Sequence, residues 1–144
     1  MDQRLTKKVA IITGAGSTDR GDGVGSAISI TFAKHGCKVL LVDKNQEYAE
    51  NTASAIRDIG GESVVCIADV TKISDAEKMV DLAISSFGRL DILVNNVGIL
   101  GIGDVTNVEE ENWDKAYELL SEFPQNHRLF TEANNIIRIV NGRR

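Results

Sequence analysis

The chain has 144 residues, of which 42% are hydrophobic and 26% are charged, and its formal net charge is −5. This composition is typical of a globular domain, and the negative charge argues against nucleic acids and anionic membranes as partners. The sequence has no basic run, no secretion signal and no apolar stretch long enough for a membrane span, so a cytoplasmic protein is expected.

Short runs rich in Val and Ile alternate with longer amphipathic stretches, a pattern that predicts strand-helix-strand units. The predicted elements are, in chain order, a strand at 8–13, a helix at 26–35, a strand at 38–42, a helix at 46–59, a strand at 63–68, a helix at 74–87, a strand at 91–95 and a helix at 106–120. Glycines end the first three helices, and capping boxes at 74–77 and 106–109 open the last two. This rhythm stops near residue 120, and the sequence leaves open whether 128–140 forms a helix or a strand.

These elements predict an α/β fold of three layers, with a Rossmann-type, doubly wound parallel sheet between helices. Right-handed crossovers give the strand order 3-2-1-4, with the first two helices on one face and the next two on the other. The sheet is expected to stop after strand four and its helix, so that a dinucleotide-binding region covers 1–120 and a C-terminal tail covers 121–144. The apolar fourth strand would then be a sheet edge, which predicts marginal stability, aggregation or association with another chain.

The stretch TGAGSTDRGDGVG, at 13–25, places five glycines directly after the first strand. A strand that turns sharply into a helix directs the first N–H groups of that helix at the turn, where an anion binds. Glycine permits a positive φ there and lets a pyrophosphate approach the backbone. The GxGxxG spacing is absent, and a P-loop is excluded because no Gly-Lys-Ser/Thr follows. The loop alone indicates either a phosphate site or a flexible turn.

Polar residues follow the other predicted strands at their carboxyl ends. Strand two ends at Asp43, strand three at Asp69 and Val70, and strand four at Asn95 and Asn96. Open parallel sheets bind ligands at this edge, where Asp43 can accept hydrogen bonds from both hydroxyls of an adenosine ribose. The alternative is that Asp43 is a solvated strand-end or helix-capping aspartate.

Together these features resemble the short-chain dehydrogenase/reductase family. Its TGxxxGxG motif is matched by Thr13, Gly14, Gly23 and Gly25, with about five extra residues at 18–22. The NNxG motif is matched by residues 95–98, and the similarity covers roughly residues 5 to 117. The resemblance implies a dinucleotide cofactor bound by these residues: Gly14, Ser17, Gly23, Val24, Gly25, Asp43, Asp69, Val70, Asn95, Asn96 and Gly98.

Within this set, the resemblance implies that Asp69 and Val70 contact the adenine and that the NNxG motif lines the cofactor cleft. Val97 stands in that motif where the family usually has alanine. Asp43 favours NAD, because its negative charge would repel a 2′-phosphate. NADP is the alternative, for which Arg20 and Lys44 are the nearby cations.

The catalytic groups of the family have no counterpart in this chain. The family uses a tyrosine with a lysine four residues later, whereas Thr52 follows Tyr48 at that spacing and Ser121 follows Tyr117. The position of the family's asparagine, on the helix after NNxG, is occupied by Leu120. No catalytic residue is therefore predicted.

The sequence thus predicts an NAD(P)-binding oxidoreductase region, acting on an alcohol or carbonyl and inactive alone. The alternatives are a non-catalytic nucleotide-binding module, a module that binds a partner through its fourth strand, and a truncated product without independent function. No metal site is expected, because Cys37 and Cys66 have no metal-ligand spacing and are predicted to be buried, reduced thiols.

Overall fold

The fold is known from a computed structural model. It describes residues 3–18 and 23–97, together with 110–112, 114–115 and 117–118. Strands and helices alternate in the order β1 (Val9–Thr13), α1 (Val24–Lys34), β2 (Lys38–Asp43), α2 (Gln46–Asp58), β3 (Ser63–Ile67), α3 (Ile73–Phe87) and β4 (Ile92–Val94). The described residues between 110 and 118 are helical, as the predicted fourth helix requires, and its capping box at 106–109 lies outside the described residues.

The four strands form one parallel sheet in the order β3-β2-β1-β4, which confirms the predicted topology. β1 lies between β2 and β4, pairing Ile11 with Leu40 on one side and with Leu93 on the other. All five residues of β1 are buried, as expected for a parallel strand covered on both faces. Among the described residues, β4 pairs only with β1 and is an edge of the sheet.

Two apolar clusters cover the two faces of the sheet, because successive side chains of a strand point to opposite sides. On one face, α1 and α2 contribute Ala33 and Ile56 to a cluster with Ile12 of β1. On the other face, α3 contributes Met79 to a cluster with Ile11. The predicted three-layer arrangement of the first three helices is therefore confirmed.

The ends of α3 show one prediction confirmed and one wrong. Gly88 ends the helix in the left-handed conformation and its N–H donates to the Ile84 carbonyl at 2.8 Å, as predicted. The predicted capping box at 74–77 does not form, because α3 begins at Ile73 and Lys72 is its N-cap without a side-chain hydrogen bond. Instead, the Asp75 carboxylate accepts a hydrogen bond from the Asp69 N–H at 2.8 Å, and this contact defines the turn before the helix.

Both cysteines are buried free thiols, as predicted. Burial, and to a smaller extent the nearby Asp91 carboxylate, raises the pKa of Cys37 to about 11, and burial also raises the pKa of Cys66. Within the described part of the chain, no three His, Cys, Asp or Glu side chains are grouped to hold a metal ion. None of the helices in that part is long and apolar enough to cross a membrane.

An aspartate at the amino end of β4 joins this strand to β1. The Asp91 carboxylate accepts hydrogen bonds from the Val9 N–H at 2.9 Å and from Arg89 Nε at 2.8 Å, and Lys8 Nζ lies 3.7 Å away. Burial alone would raise the pKa of Asp91, but the bonds from Arg89 and Val9 outweigh it, and the pKa lies below the usual aspartate value. The ionised carboxylate therefore stabilises the fold.

We expect the Asp91→Asn variant to lose about 1.5–3 kcal/mol of unfolding free energy at pH 7, since hydrogen bonds to a charged acceptor are stronger than neutral ones. A carboxyl with a lowered folded-state pKa contributes stability above its unfolded pKa, near 3.9, and this contribution is lost as the pH falls through the folded-state pKa. Urea unfolding at pH 7 and pH 2.5 should show a difference between wild type and variant that shrinks in acid.

The matched control is Glu62→Gln, which removes one charge from an exposed ion pair with Lys38 at 3.0 Å. Exposed pairs contribute little to stability, so this variant should unfold almost as wild type does at both pH values. An Asp91→Asn deficit that is equally large at pH 7 and pH 2.5 would contradict the assigned role of the Asp91 charge.

Candidate functional site

A cleft of about 270 Å³ opens at the carboxyl edge of the sheet. Residues at or after the ends of all four strands line it: Gly14, Val42, Asp43, Lys44, Ala68, Val70, Asn96 and Val97. The cleft includes the gap between β1 and β4, where the crossovers diverge in opposite directions and open α/β sheets bind their ligands. A larger groove of about 470 Å³ lies at the opposite, amino edge, beside Gly36 and Gly60.

The glycine loop leaves β1 and crosses the end of β2. The Ala15 N–H donates to the Val42 carbonyl at 3.1 Å, and the Gly16 N–H donates to Asp43 Oδ2 at 2.9 Å. The other carboxylate oxygen of Asp43 accepts the Asn45 N–H at 3.0 Å. Each carboxylate oxygen can accept two hydrogen bonds, so both oxygens of Asp43 retain capacity for a ligand hydroxyl.

The first turn of α1 offers backbone donors that fit an anion. Gly23 is the N-cap with a φ of 131°, and the helix has neither a side-chain cap nor an acidic residue in its first turn. The Ala27 N–H makes the first helical bond, to the Gly23 carbonyl at 3.0 Å, so the N–H groups of Val24, Gly25 and Ser26 precede the intrahelical ladder. Their donors and the positive end of the helix dipole fit a diphosphate at this turn.

Gly25 is required for the first turn of α1 to pack against the loop. A Cβ at this position would lie 2.0 Å from the Gly14 carbonyl oxygen and 2.6 Å from Asn96 Nδ2. Asn96 Nδ2 in turn donates to that same Gly14 oxygen at 3.1 Å. The absence of a side chain at Gly25 therefore allows the backbone of α1 to contact the backbone of the loop. This is a second reason for glycine here, besides the approach of a pyrophosphate.

Thr13 and Asn96 join the loop to β4. The Asn96 N–H donates to the Thr13 hydroxyl at 3.0 Å, and that hydroxyl donates to the Val94 carbonyl at 3.2 Å. Thr13 is fully buried, so its hydroxyl holds together the ends of neighbouring strands rather than facing solvent. Asn95 follows β4 directly at the same edge, and the predicted residue Gly98 lies outside the described residues.

Asp69 forms a second polar group at this edge. Its carboxylate accepts the Thr71 hydroxyl at 2.7 Å and the Thr71 N–H at 3.0 Å, and it pairs with Lys44 Nζ at 3.2 Å. Burial works to raise the pKa of Asp69, but the hydrogen bonds from Thr71 and Lys44 lower it below its usual value. The charge of Lys44 is thus balanced by Asp69, a pairing that sequence analysis did not find.

The predicted site residues that the structure describes divide into four groups by position. Four line the cleft: Gly14, Asp43, Val70 and Asn96. Three form the start of α1: Gly23, Val24 and Gly25. Asp69 and Asn95 lie at the ends of β3 and β4, whereas Ser17 lines a separate groove of about 350 Å³ between α1 and α2. Val42 and Ala68 also line the cleft and were not predicted, although each comes at or next to a polar strand end.

Comparison with known proteins shows that most of this chain is similar to one protein family. The family model described as short chain dehydrogenase matches residues 8–121. An uncharacterized oxidoreductase of Thermotoga maritima is 43% identical over 108 residues, which are 75% of this chain and 40% of that protein. The predicted resemblance is therefore confirmed.

Solved structures give the same result. A protein of Burkholderia xenovorans assigned to the short-chain dehydrogenases/reductases has a TM-score of 0.84 at 34% identity, over 90% of this chain and 52% of that one. A 7 alpha-hydroxysteroid dehydrogenase in complex with NADH and 7-oxo glycochenodeoxycholic acid has a TM-score of 0.79 at 35% identity, over 92% and 50%. The chain spans about half the length, or less, of these three proteins.

Proposed function

This chain belongs to the short-chain dehydrogenase/reductase family, and from that premise we propose that it binds NAD as the cofactor-binding region of an oxidoreductase. The proposed reaction class is the interconversion of an alcohol and a carbonyl. The observation that supports cofactor binding most directly is the position of the glycine loop, which binds Asp43 of the cleft through the Gly16 N–H and packs against the first turn of α1 at Gly25. The site joins hydrogen-bond acceptors for a ribose with donors for a diphosphate.

In this proposal, different residues bind different parts of the dinucleotide. The N–H groups of Val24 and Gly25 bind the diphosphate, and the Asp43 carboxylate accepts the hydroxyls of the adenosine ribose. Val70 packs against the adenine, with Asp69 beside it. Val42 and Ala68, which also line the cleft, supply further apolar contacts to the adenosine.

The side chains at the end of β4 would lie along the remaining part of the dinucleotide. Asn96 holds the Gly14 carbonyl and so keeps the loop open at its first turn. Asn95 and Gly98 belong to the same motif and are proposed to line the cleft. When bound, the nicotinamide supplies hydride transfer, and these residues orient it.

Two charges support NAD over NADP. The Asp43 carboxylate at the ribose position would repel a 2′-phosphate. Lys44, which could attract that phosphate, is paired with Asp69. Arg20, the other candidate cation, lies outside the described residues.

The chain alone is proposed to catalyse no turnover. Proton transfer to the reacting oxygen needs a positioned acid or base, and no Tyr-x-x-x-Lys sequence is present in these 144 residues. A non-catalytic module that binds a nucleotide, or a partner through the edge of β4, is the alternative. Partner binding is supported by the side chains of β4, which are only half-buried in the part of the chain that the structure describes.

Calorimetric titration of the purified chain tests this proposal. We expect one NADH per chain and at least tenfold weaker binding of NADPH, since about 1.4 kcal/mol of charge repulsion corresponds to that factor. No oxidation of secondary alcohols by the chain alone is expected. If millimolar NADH gives neither heat nor a thermal shift, the proposed cofactor site is wrong.

A further inference from the structure

Three buried hydroxyls join α2 to the glycine loop and to α1. The exposed fractions of Ser17, Ser26 and Thr52 are 5%, 1% and 0%. Thr52 Oγ1 donates to the Ala15 carbonyl at 2.8 Å and lies 3.0 Å from Ser26 Oγ and 3.2 Å from Ser17 Oγ. The single proton of the Thr52 hydroxyl is shared between the Ala15 carbonyl and Ser26 Oγ, and its oxygen can accept the Ser17 hydroxyl.

These contacts lie on both sides of the lengthened part of the loop. Ala15 and Ser17 come before it, and Ser26 comes after it in the first turn of α1. Asn51 adds a fourth contact, because its Nδ2 donates to the Ser17 carbonyl at 3.1 Å. A longer loop loses more conformational entropy when its ends are brought together, and α2 supplies contacts that hold those ends.

The direction in which the Thr52 hydroxyl donates is unusual for a helix. A helical threonine commonly donates to the carbonyl four residues earlier, as Thr31 does to Ala27 at 2.8 Å. Thr52 donates instead to Ala15, 37 residues away in the chain. Loss of this hydroxyl would leave buried polar groups without their partner, which destabilises the present loop position.

We propose that Thr52 is a positioning residue for the diphosphate of the dinucleotide. Its hydroxyl ties Ala15 and Ser17 of the loop to Ser26 in the first turn of α1. These contacts set where the N–H groups of Val24 and Gly25, which precede the helical ladder, face the anion. This inference rests on the proposed function and names a residue that acts through the loop without touching the ligand. Removal of the hydroxyl should therefore weaken the binding of ligands that carry the diphosphate and leave the binding of adenosine unchanged.

The test compares Thr52→Val, which removes the hydroxyl at nearly constant volume, with Thr52→Ser, which keeps it. Titration with ADP-ribose should show about tenfold weaker binding to the valine variant, as loss of a buried hydrogen bond predicts, and near wild-type binding to the serine variant. Chemical-shift titration with adenosine should give the same affinity for all three proteins. Ser26→Ala removes one of the three hydroxyls and should weaken the binding of ADP-ribose by a smaller factor.

Thr31→Val is the matched control, because it removes an exposed hydroxyl from α1 by the same substitution. The inference is overturned if Thr52→Val binds ADP-ribose as wild type does, or if its affinity for adenosine falls by the same factor as its affinity for ADP-ribose. Should Thr52→Val fail to fold, full ADP-ribose affinity in Ser26→Ala overturns it. A wild-type chain that binds neither ligand refutes the proposed function itself, so the two failures are distinguishable.

Discussion

Replacing Gly25 by alanine should reduce the affinity for NADH by a hundredfold or more. The new Cβ would lie 2.0 Å from the Gly14 carbonyl oxygen, a contact with backbone that no change of rotamer can relieve. The first turn of α1 must therefore move away from the loop, and a displacement of about 1 Å in a binding site has effects of this order. Calorimetry with NADH measures the loss, and urea unfolding should show a cost of about 1–3 kcal/mol from overpacking.

Gly60→Ala is the control for this substitution. Gly60, unlike Gly25, has a positive φ, of 74°, but a Cβ there meets no atom within 4 Å, and the residue lies at the amino edge of the sheet. This variant should lose about 1 kcal/mol of stability through backbone strain and bind NADH as wild type does. Equal NADH affinities for Gly25→Ala and wild type would show that the start of α1 is not part of the site.

Asp43→Asn is expected to bind NADH about tenfold to a hundredfold more weakly and to lose most of its preference over NADPH. A neutral amide accepts hydrogen bonds from ribose hydroxyls less strongly than a carboxylate does, and it no longer repels a 2′-phosphate. The amide oxygen can still accept either the Gly16 or the Asn45 N–H, so the loop should stay in place. Parallel titrations with NADH and NADPH measure both effects.

Asp81→Asn provides the same change of net charge on the exposed surface of α3. Its affinities for both cofactors should match those of wild type, since exposed charges at a distance are screened by salt. If Asp43→Asn weakened NADH and NADPH by the same factor, the carboxylate would not be the group that distinguishes them.

Most of the fold follows from local patterns in the sequence. The buried runs of β1 and β2 predict parallel strands, and the handedness of crossovers predicts their order. The failure at the start of α3 is physical: the helix begins at Ile73, one residue before Ser74, and the turn before it is held by the Asp69 N–H, which donates to the Asp75 carboxylate. A capping box is a local signal, whereas this turn depends on where β3 ends.

The candidate site could be predicted only in part. Polar residues after the strands locate the edge and include Asp43 and Asn96, because parallel strands bring their carboxyl ends together. The pairing of Lys44 with Asp69 and the contact of Thr52 with Ala15 have no spacing signal. They arise because α2 packs beside the loop and β3 lies beside β2, and the sequence alone does not contain those distances.

The central claim is that the glycine loop and the start of α1 bind the diphosphate of a dinucleotide. Amide ¹H–¹⁵N correlation spectra of the chain, recorded during titration with NADH, test it most directly. The account predicts saturable shifts at Gly14, Gly16, Val24, Gly25 and Asp43. Absence of shifts at millimolar NADH, or shifts confined to the amino-edge groove around Gly36 and Gly60, would contradict it.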